Sequence, residues 1–193
     1  MKPLFVAAVE VQEFLRRAGE SFCFIGGIAL QRWGEPRFTR DVDLTLMCQL
    51  GSEARAVDRV LSEFRPRVEG ARDFALKNRV ILIQSSMDIP IDVVLGALPF
   101  EQRCVERASE FDFGPGLRLT TCSAEDLVIL KAFAGRLRDW ADVESVSMRQ
   151  IRSLDWALVL EELKPLLELR ETPENLDQLL KIKNRIEQAD RAP

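Results

Sequence analysis

At 193 residues the chain suffices for one domain, or one domain with a helical appendage, around a substantial core. Its 27 basic and 31 acidic residues give a net charge of −4, so no whole-chain basic field marks a nucleic-acid binder, although a local basic strip is still open. The chain contains no histidine, which removes Ser-His-Asp hydrolases, HExxH metalloproteases and imidazole bases together, and Cys23, Cys48, Cys104 and Cys122 lack the CxxC spacing of a zinc or redox motif. Thiols of that kind suit a reducing compartment. With no cleavable secretory pattern and no apolar run long enough to span a bilayer, the expected location is cytoplasmic.

In chain order, residues 6–18 read as an amphipathic helix, with Val6 and Val9 on one face and Glu10 and Glu13 on another, ended by Gly19. Residues 22–25 form a short apolar strand, and Gly26-Gly27 turns it directly into a helix reaching about Trp33. Glycines there admit a phosphate to the backbone N–H groups of a helix start, or simply make a tight turn. The loop that follows carries Arg37 and Arg40, which either neutralise nearby acids, meet a triphosphate, or are solvated.

Residues 41–47 then read as a strand, with Asp41, Asp43 and Thr45 on one face and Val42, Leu44 and Leu46 in the core. Two neighbouring carboxylates repel, so a chain that builds such a pair supplies a cation or exposes it. Oxygen ligands beside a phosphate-binding turn suit Mg²⁺. Ser52 is expected to cap a helix over residues 53–64, stopped by Pro66. Residues 65–79 form the most basic stretch, read as a solvated loop and strand edge by default, or as an RNA or polyphosphate path.

Strands are expected at residues 80–84 and 89–95. In the second, Asp92 faces away from Ile89, Ile91, Val93 and Leu95, and needs a partner: an arginine in a salt bridge, or a metal site shared with Asp41 and Asp43. A helix from Pro99 to about Ala108 and a strand over residues 117–121 come next. Ser123 opens a helix in the capping-box manner, and residues 127–135 are apolar on every side except at Lys131. Its ammonium must therefore reach a cleft, a carboxylate or an anionic ligand. Asp139 and Asp142 follow on one helical face, placed to orient Lys131, to assist with a nucleotide, or to cap their own helix. The remainder reads as helices over residues 154–167 and 174–188.

Together, the strand ending in Gly26-Gly27, the helix after it, the Asp41-x-Asp43 strand and the later strand with Asp92 resemble the nucleotidyltransferase superfamily, the fold of DNA polymerase β. The Glu125-Asp126-Leu127-x-x-x-Lys131 helix and Arg136-x-Arg138-Asp139-x-x-Asp142 resemble the branch of AbiEii-type toxins and related small bacterial nucleotidyltransferases. The resemblance covers residues 22–143. It departs at Gly27, where many members carry serine, so a hydroxyl contact to the nucleotide phosphate is lost there and a backbone contact is left.

The resemblance implies an α/β (α+β) fold, a mixed sheet flanked by helices, with a nucleotidyltransferase core over residues 1–122 and a helical region over residues 123–193 completing the cleft. It implies attack of an acceptor hydroxyl on the α-phosphate of a nucleoside triphosphate, assisted by two Mg²⁺ ions. Asp41, Asp43 and Asp92 are then the metal and catalytic residues, with Asp92 as proton acceptor. Gly26, Gly27, Arg40, Lys131, Asp139 and Asp142 serve the nucleotide. The acceptor is RNA or protein in a toxin-like enzyme, with an antitoxin protein as partner, or a small molecule of aminoglycoside type. A binding module that keeps the fold without turnover is the third reading.

Overall fold

In the computed structural model, which describes residues 3–191, the chain divides into two units. One comprises residues up to 28 together with 38–122; the other comprises 29–37 and the chain from 123 onward.

The first unit is built on seven strands among the described residues: β1 (Phe22–Phe24), β2 (Val42–Met47), β3 (Arg65–Pro66), β4 (Val80–Gln84), β5 (Pro90–Gly96), β6 (Ser109–Asp112) and β7 (Arg118–Thr121). They run in the order β3-β4-β5-β2-β1-β7-β6. β2 pairs parallel with β5, and β1 with β7, while every other neighbouring pair is antiparallel. The sheet is therefore mixed, as expected. The period-2 pattern of the central strands decides which face is core: Val42, Leu44 and Leu46 of β2 are buried with Ile91, Val93 and Leu95 of β5 and Ile81 and Ile83 of β4.

Helix α1 (Pro3–Arg17) contributes Phe5, Ala8, Val11 and Leu15 to that core. Val6 and Val9 lie half-buried at the margin of this face, so the buried stripe is rotated from the one expected. One further buried residue of α1 is polar: Gln12 Nε2 donates to the Arg118 carbonyl at 2.8 Å and Gln12 Oε1 accepts from Thr120 N at 3.0 Å. One amide thus satisfies a donor and an acceptor of β7 and fastens α1 to it.

Helix α2 (Gly26–Trp33) follows β1 without a loop, and α3 (Glu53–Glu63) follows β2. Ser52 occupies the N-cap of α3 but does not cap it, because its hydroxyl donates instead to the Gln49 carbonyl at 2.7 Å. Two further elements differ from expectation. Residues 71–78, read as loop, form α4 (Ala71–Asn78), which packs on α3 and β4. It buries only Ala71 and Ala75, a stripe too small to show against its charges. After α5 (Pro99–Glu106), β6 pairs with β7 as an edge strand whose four residues are all exposed, and so carries no alternation to read.

The second unit is helical: α6 (Ala124–Ala134), α7 (Leu137–Arg149), α8 (Trp156–Arg170) and α9 (Glu174–Arg191). Ser123 Oγ accepts from Asp126 N at 3.0 Å and caps α6, as its sequence predicts. α6 packs against α7, α8 and α9, which explains why Leu127, Val128, Ile129 and Ala132 are all buried around its circumference. Residues 29–37, which the sequence reading kept with residues 1–122, belong to this unit for a definite reason. Arg149 Nη1 donates to the Gly34 carbonyl at 2.6 Å, Gln150 Nε2 to the Trp33 carbonyl at 3.0 Å, and Glu35 N to Ser145 Oγ at 2.6 Å. Side chains of α7 and its C-cap thereby satisfy the orphaned end of α2. Among the described residues no helix is long and apolar enough to cross a membrane.

Candidate active site

In the first unit the sheet brings the three predicted aspartates to one face. Asp43 and Asp92 stand opposite each other in the parallel β2–β5 register, and Asp41 lies two residues before Asp43, just ahead of the strand. All three are partly exposed, while their apolar neighbours in sequence are buried. Gly26 closes against the same face. Its φ is +54°, and a Cβ there would collide with Asp43 Oδ2 and lie 2.8 Å from Asp43 Cγ, so conformation and space both require glycine. Gly26→Ala is expected to lower stability by about 2–4 kcal/mol, read by denaturant unfolding; an unchanged midpoint would contradict this packing.

Gly27 has an ordinary backbone, yet a Cβ on it would lie 2.5 Å from Thr39 Oγ1 and 2.7 Å from Thr39 Cβ. The Thr39 hydroxyl donates to Asp41 Oδ1 at 3.0 Å. Asp92 is ion-paired with Arg67. Register explains that partner: Arg67 N donates to the Leu82 carbonyl at 3.0 Å, and Leu82 is paired with Asp92, so Arg67, Leu82, Asp92 and Asp43 form one row across the sheet. Burial pushes the Asp92 carboxyl above the usual carboxylate range; Arg67 opposes that shift and the charge on Asp41 adds to it. Arg40 is exposed, with its guanidinium 6.0 Å from the Phe38 ring.

The second unit gathers the remaining predicted residues into one ion-pair cluster. Lys131 Nζ lies 3.1 Å from Asp139 Oδ1 and 2.8 Å from Asp142 Oδ2. Arg37 meets Asp142 through two hydrogen bonds, Nε to Oδ1 at 2.8 Å and Nη2 to Oδ2 at 2.7 Å. Burial alone would push the Asp142 carboxyl up, but the hydrogen bonds and charges of Arg37 and Lys131 outweigh it and hold the group below the usual range.

The carboxylate row offers only hard oxygen donors, which is the chemistry of a Mg²⁺ site. Among the described residues, no three acidic or thiol side chains converge as a ready cage; the Thr39 hydroxyl donates to Asp41, and Arg67 is paired with Asp92. Oxygen donors of this kind suit the ion, and one of them, the Asp92 carboxylate, is engaged by Arg67. A cavity of about 780 Å³ lies elsewhere in this unit, at the far end of β2, with Glu20, Cys48 and Arg55 in its wall and none of the predicted site residues. Sequence reading had missed Thr39 and Arg67 as site residues. Thr39 was visible only as a hydroxyl two positions before Asp41, and Arg67 only as one charge in a basic stretch.

A family model described as "Nucleotidyl transferase AbiEii toxin, Type IV TA system" matches residues 13–192. No curated protein matches the chain. Among solved structures, the fold is similar to an antigenic nucleotidyltransferase-like protein from Paracoccidioides brasiliensis, with a TM-score of 0.50, 16% identity and 94% of each chain covered. The antibiotic-resistance factor ANT(2'')-Ia gives a TM-score of 0.47 at 13% identity, over 96% of this chain and 91% of that one. The lincosamide antibiotic adenylyltransferase LnuA, lincomycin-bound, gives 0.48 at 11% identity, over 72% of this chain and 93% of that one.

Proposed function

We infer that this chain, which belongs to the AbiEii nucleotidyltransferase family, transfers a nucleoside monophosphate from a nucleoside triphosphate to an acceptor hydroxyl. The observation that carries this reading is the pair Asp43 and Asp92 in register across β2 and β5, with Asp41 two residues before Asp43, beside the glycine start of α2. Asp41 and Asp43 hold divalent metal, with Asp92 as the third carboxylate. Bound Mg²⁺ supplies charge stabilisation for the attacking and leaving oxygens. Gly26 and Gly27 leave the first N–H groups of α2 open to phosphate oxygens, and Arg40 adds positive charge at the loop.

The acceptor oxygen forms a bond to the α-phosphorus while the bond from that phosphorus to the bridging oxygen of the β-phosphate breaks. Pyrophosphate leaves with the electron pair, and Asp92 takes the hydroxyl proton. Burial, which favours the protonated form of Asp92, suits that role once Arg67 has released it. In the second unit Lys131 contributes to triphosphate binding, its ammonium fixed by Asp139 and Asp142. Lys131→Ala is expected to weaken triphosphate affinity about tenfold; an unaltered affinity would return Lys131 to a structural role.

The family description, a toxin of a toxin–antitoxin system, supports the toxin-like reading, in which the acceptor is RNA or protein and an antitoxin protein is the partner. A cationic small molecule is the second reading, and one observation favours it. Arg65, Arg67, Arg72 and Arg79, the arginines of the basic stretch, are paired with Asp88, Asp92, Asp58 and Glu53 of the same unit, so they are less available to a polyanion. The deciding experiment is calorimetric binding of each of the four nucleoside triphosphates, with and without Mg²⁺, to wild type and Asp43→Ala. Mg²⁺-dependent binding lost in the variant identifies the site and the base. Binding of none of the four would instead favour a non-catalytic module.

A further inference from the structure

We propose that Thr39 is a positioning residue of the carboxylate site: from the loop it supplies the hydroxyl that position 27 lacks, and with it orients Asp41. The proposal rests on the transferase reading above. Two contacts carry it. The Thr39 side chain fills the space a side chain on Gly27 would take, at 2.5 Å from Oγ1 and 2.8 Å from Cγ2 to an ideal Cβ, and its Oγ1 lies 3.0 Å from Asp41 Oδ1. Gly27 differs in this from Gly26. Its backbone is not left-handed, so nothing in its own conformation demands glycine. What excludes a side chain at 27 is Thr39.

Asp41 needs such an anchor more than Asp43 does. Asp43 stands within β2, in register with Asp92, whereas Asp41 precedes the first ladder pair, Val42 with Ile91. Its carboxylate direction is therefore set by side-chain contacts rather than by the pleat. A threonine hydroxyl has one proton and two acceptor lone pairs. Donating that proton to Asp41 commits one carboxylate oxygen, and leaves the hydroxyl able to accept at the N-terminus of α2.

The test compares Thr39→Val, Thr39→Ser, Gly27→Ser and the double variant Gly27→Ser/Thr39→Gly with wild type. The probes are Mn²⁺ alone, followed by its spin resonance, Mg²⁺ with triphosphate by calorimetry, and thermal unfolding. Thr39→Val keeps the volume beside Gly27 and removes the hydroxyl, so it is expected to weaken Mn²⁺ affinity about tenfold at an unchanged Tm. Thr39→Ser should stay within about twofold of wild type. Gly27→Ser should lower Tm by about 5 °C while Thr39 is present, and the double variant should recover both Tm and Mn²⁺ affinity. Wild-type Mn²⁺ affinity in Thr39→Val, or an equal Tm loss from Gly27→Ser in both backgrounds, overturns the assignment of Thr39 alone. A wild type that binds neither Mn²⁺ nor Mg²⁺-triphosphate overturns it together with the transferase reading.

Discussion

Asp43→Asn is expected to reduce Mg²⁺-dependent transfer by about a thousandfold or more, while leaving the denaturant midpoint close to that of wild type. The loss follows from removing one of the charges that hold the metal, since stabilisation of the developing charge is worth several kcal/mol and each 1.4 kcal/mol is tenfold in rate. Retained stability follows from the same geometry read without the metal. Asp43 and Asp92 face each other across the β2–β5 pair, and the negative charge of Asp41 already pushes Asp92 up. Asparagine keeps the length and shape of the side chain at that register position, so the pairing of β2 with β5 is expected to survive. Asparagine is the informative substitution because it fills the same volume against Gly26, where alanine would leave a gap. The rate should collapse while the denaturant midpoint stays close to wild type. If both fell together, Asp43 would be a structural residue and the metal assignment would fail.

Asp142→Asn is expected to behave in the reverse sense, with a large loss of stability. The Asp142 side chain is 4% exposed and accepts from Arg37, itself 30% exposed, as well as Lys131, which is 13% exposed. Removing its charge leaves two partly buried cations short of a counter-ion, which costs about 3 kcal/mol; Lys131 keeps Asp139 at 3.1 Å, which limits the damage. The pH dependence has a definite sign. The folded-state pKa of Asp142 is depressed, so its stabilisation is fully present above the ordinary aspartate value of about 3.9 and is lost as pH falls through the folded value. The gap between wild type and Asp142→Asn should therefore be widest near pH 7 and shrink below pH 4. Urea unfolding at the two pH values measures it, and a gap that stays constant would show that Asp142 acts through packing rather than charge.

Much of this molecule was legible before any coordinates. The period-2 alternation around Asp41, Asp43 and Asp92 placed their neighbours in the core, and Val42, Leu44, Ile91 and Val93 are indeed fully buried. The all-round apolar helix around Lys131 predicted a buried ammonium in need of a partner, and Asp139 and Asp142 are its partners. The mixed sheet was implied by motif resemblance, and the sheet observed has that character. Illegible were α4, with two alanines as its whole buried stripe, and β6, exposed at all four residues. Burial writes a pattern into sequence only when the buried face is large enough to select apolar side chains.

What the chain determined by itself is therefore local: which strand residues face the core, where α2 and α6 begin, and which carboxylates share a side of a strand. These depend on the backbone repeat, and each residue's face follows from its near neighbours. Tertiary structure alone decided the pairings: Arg67 with Asp92, reached only because β4 lies between β3 and β5; Thr39 in the space beside Gly27; and residues 29–37 in the helical unit through Ser145, Arg149 and Gln150. Strand order and the meeting of segments distant in sequence are set by the packing of the whole unit, which no local repeat encodes.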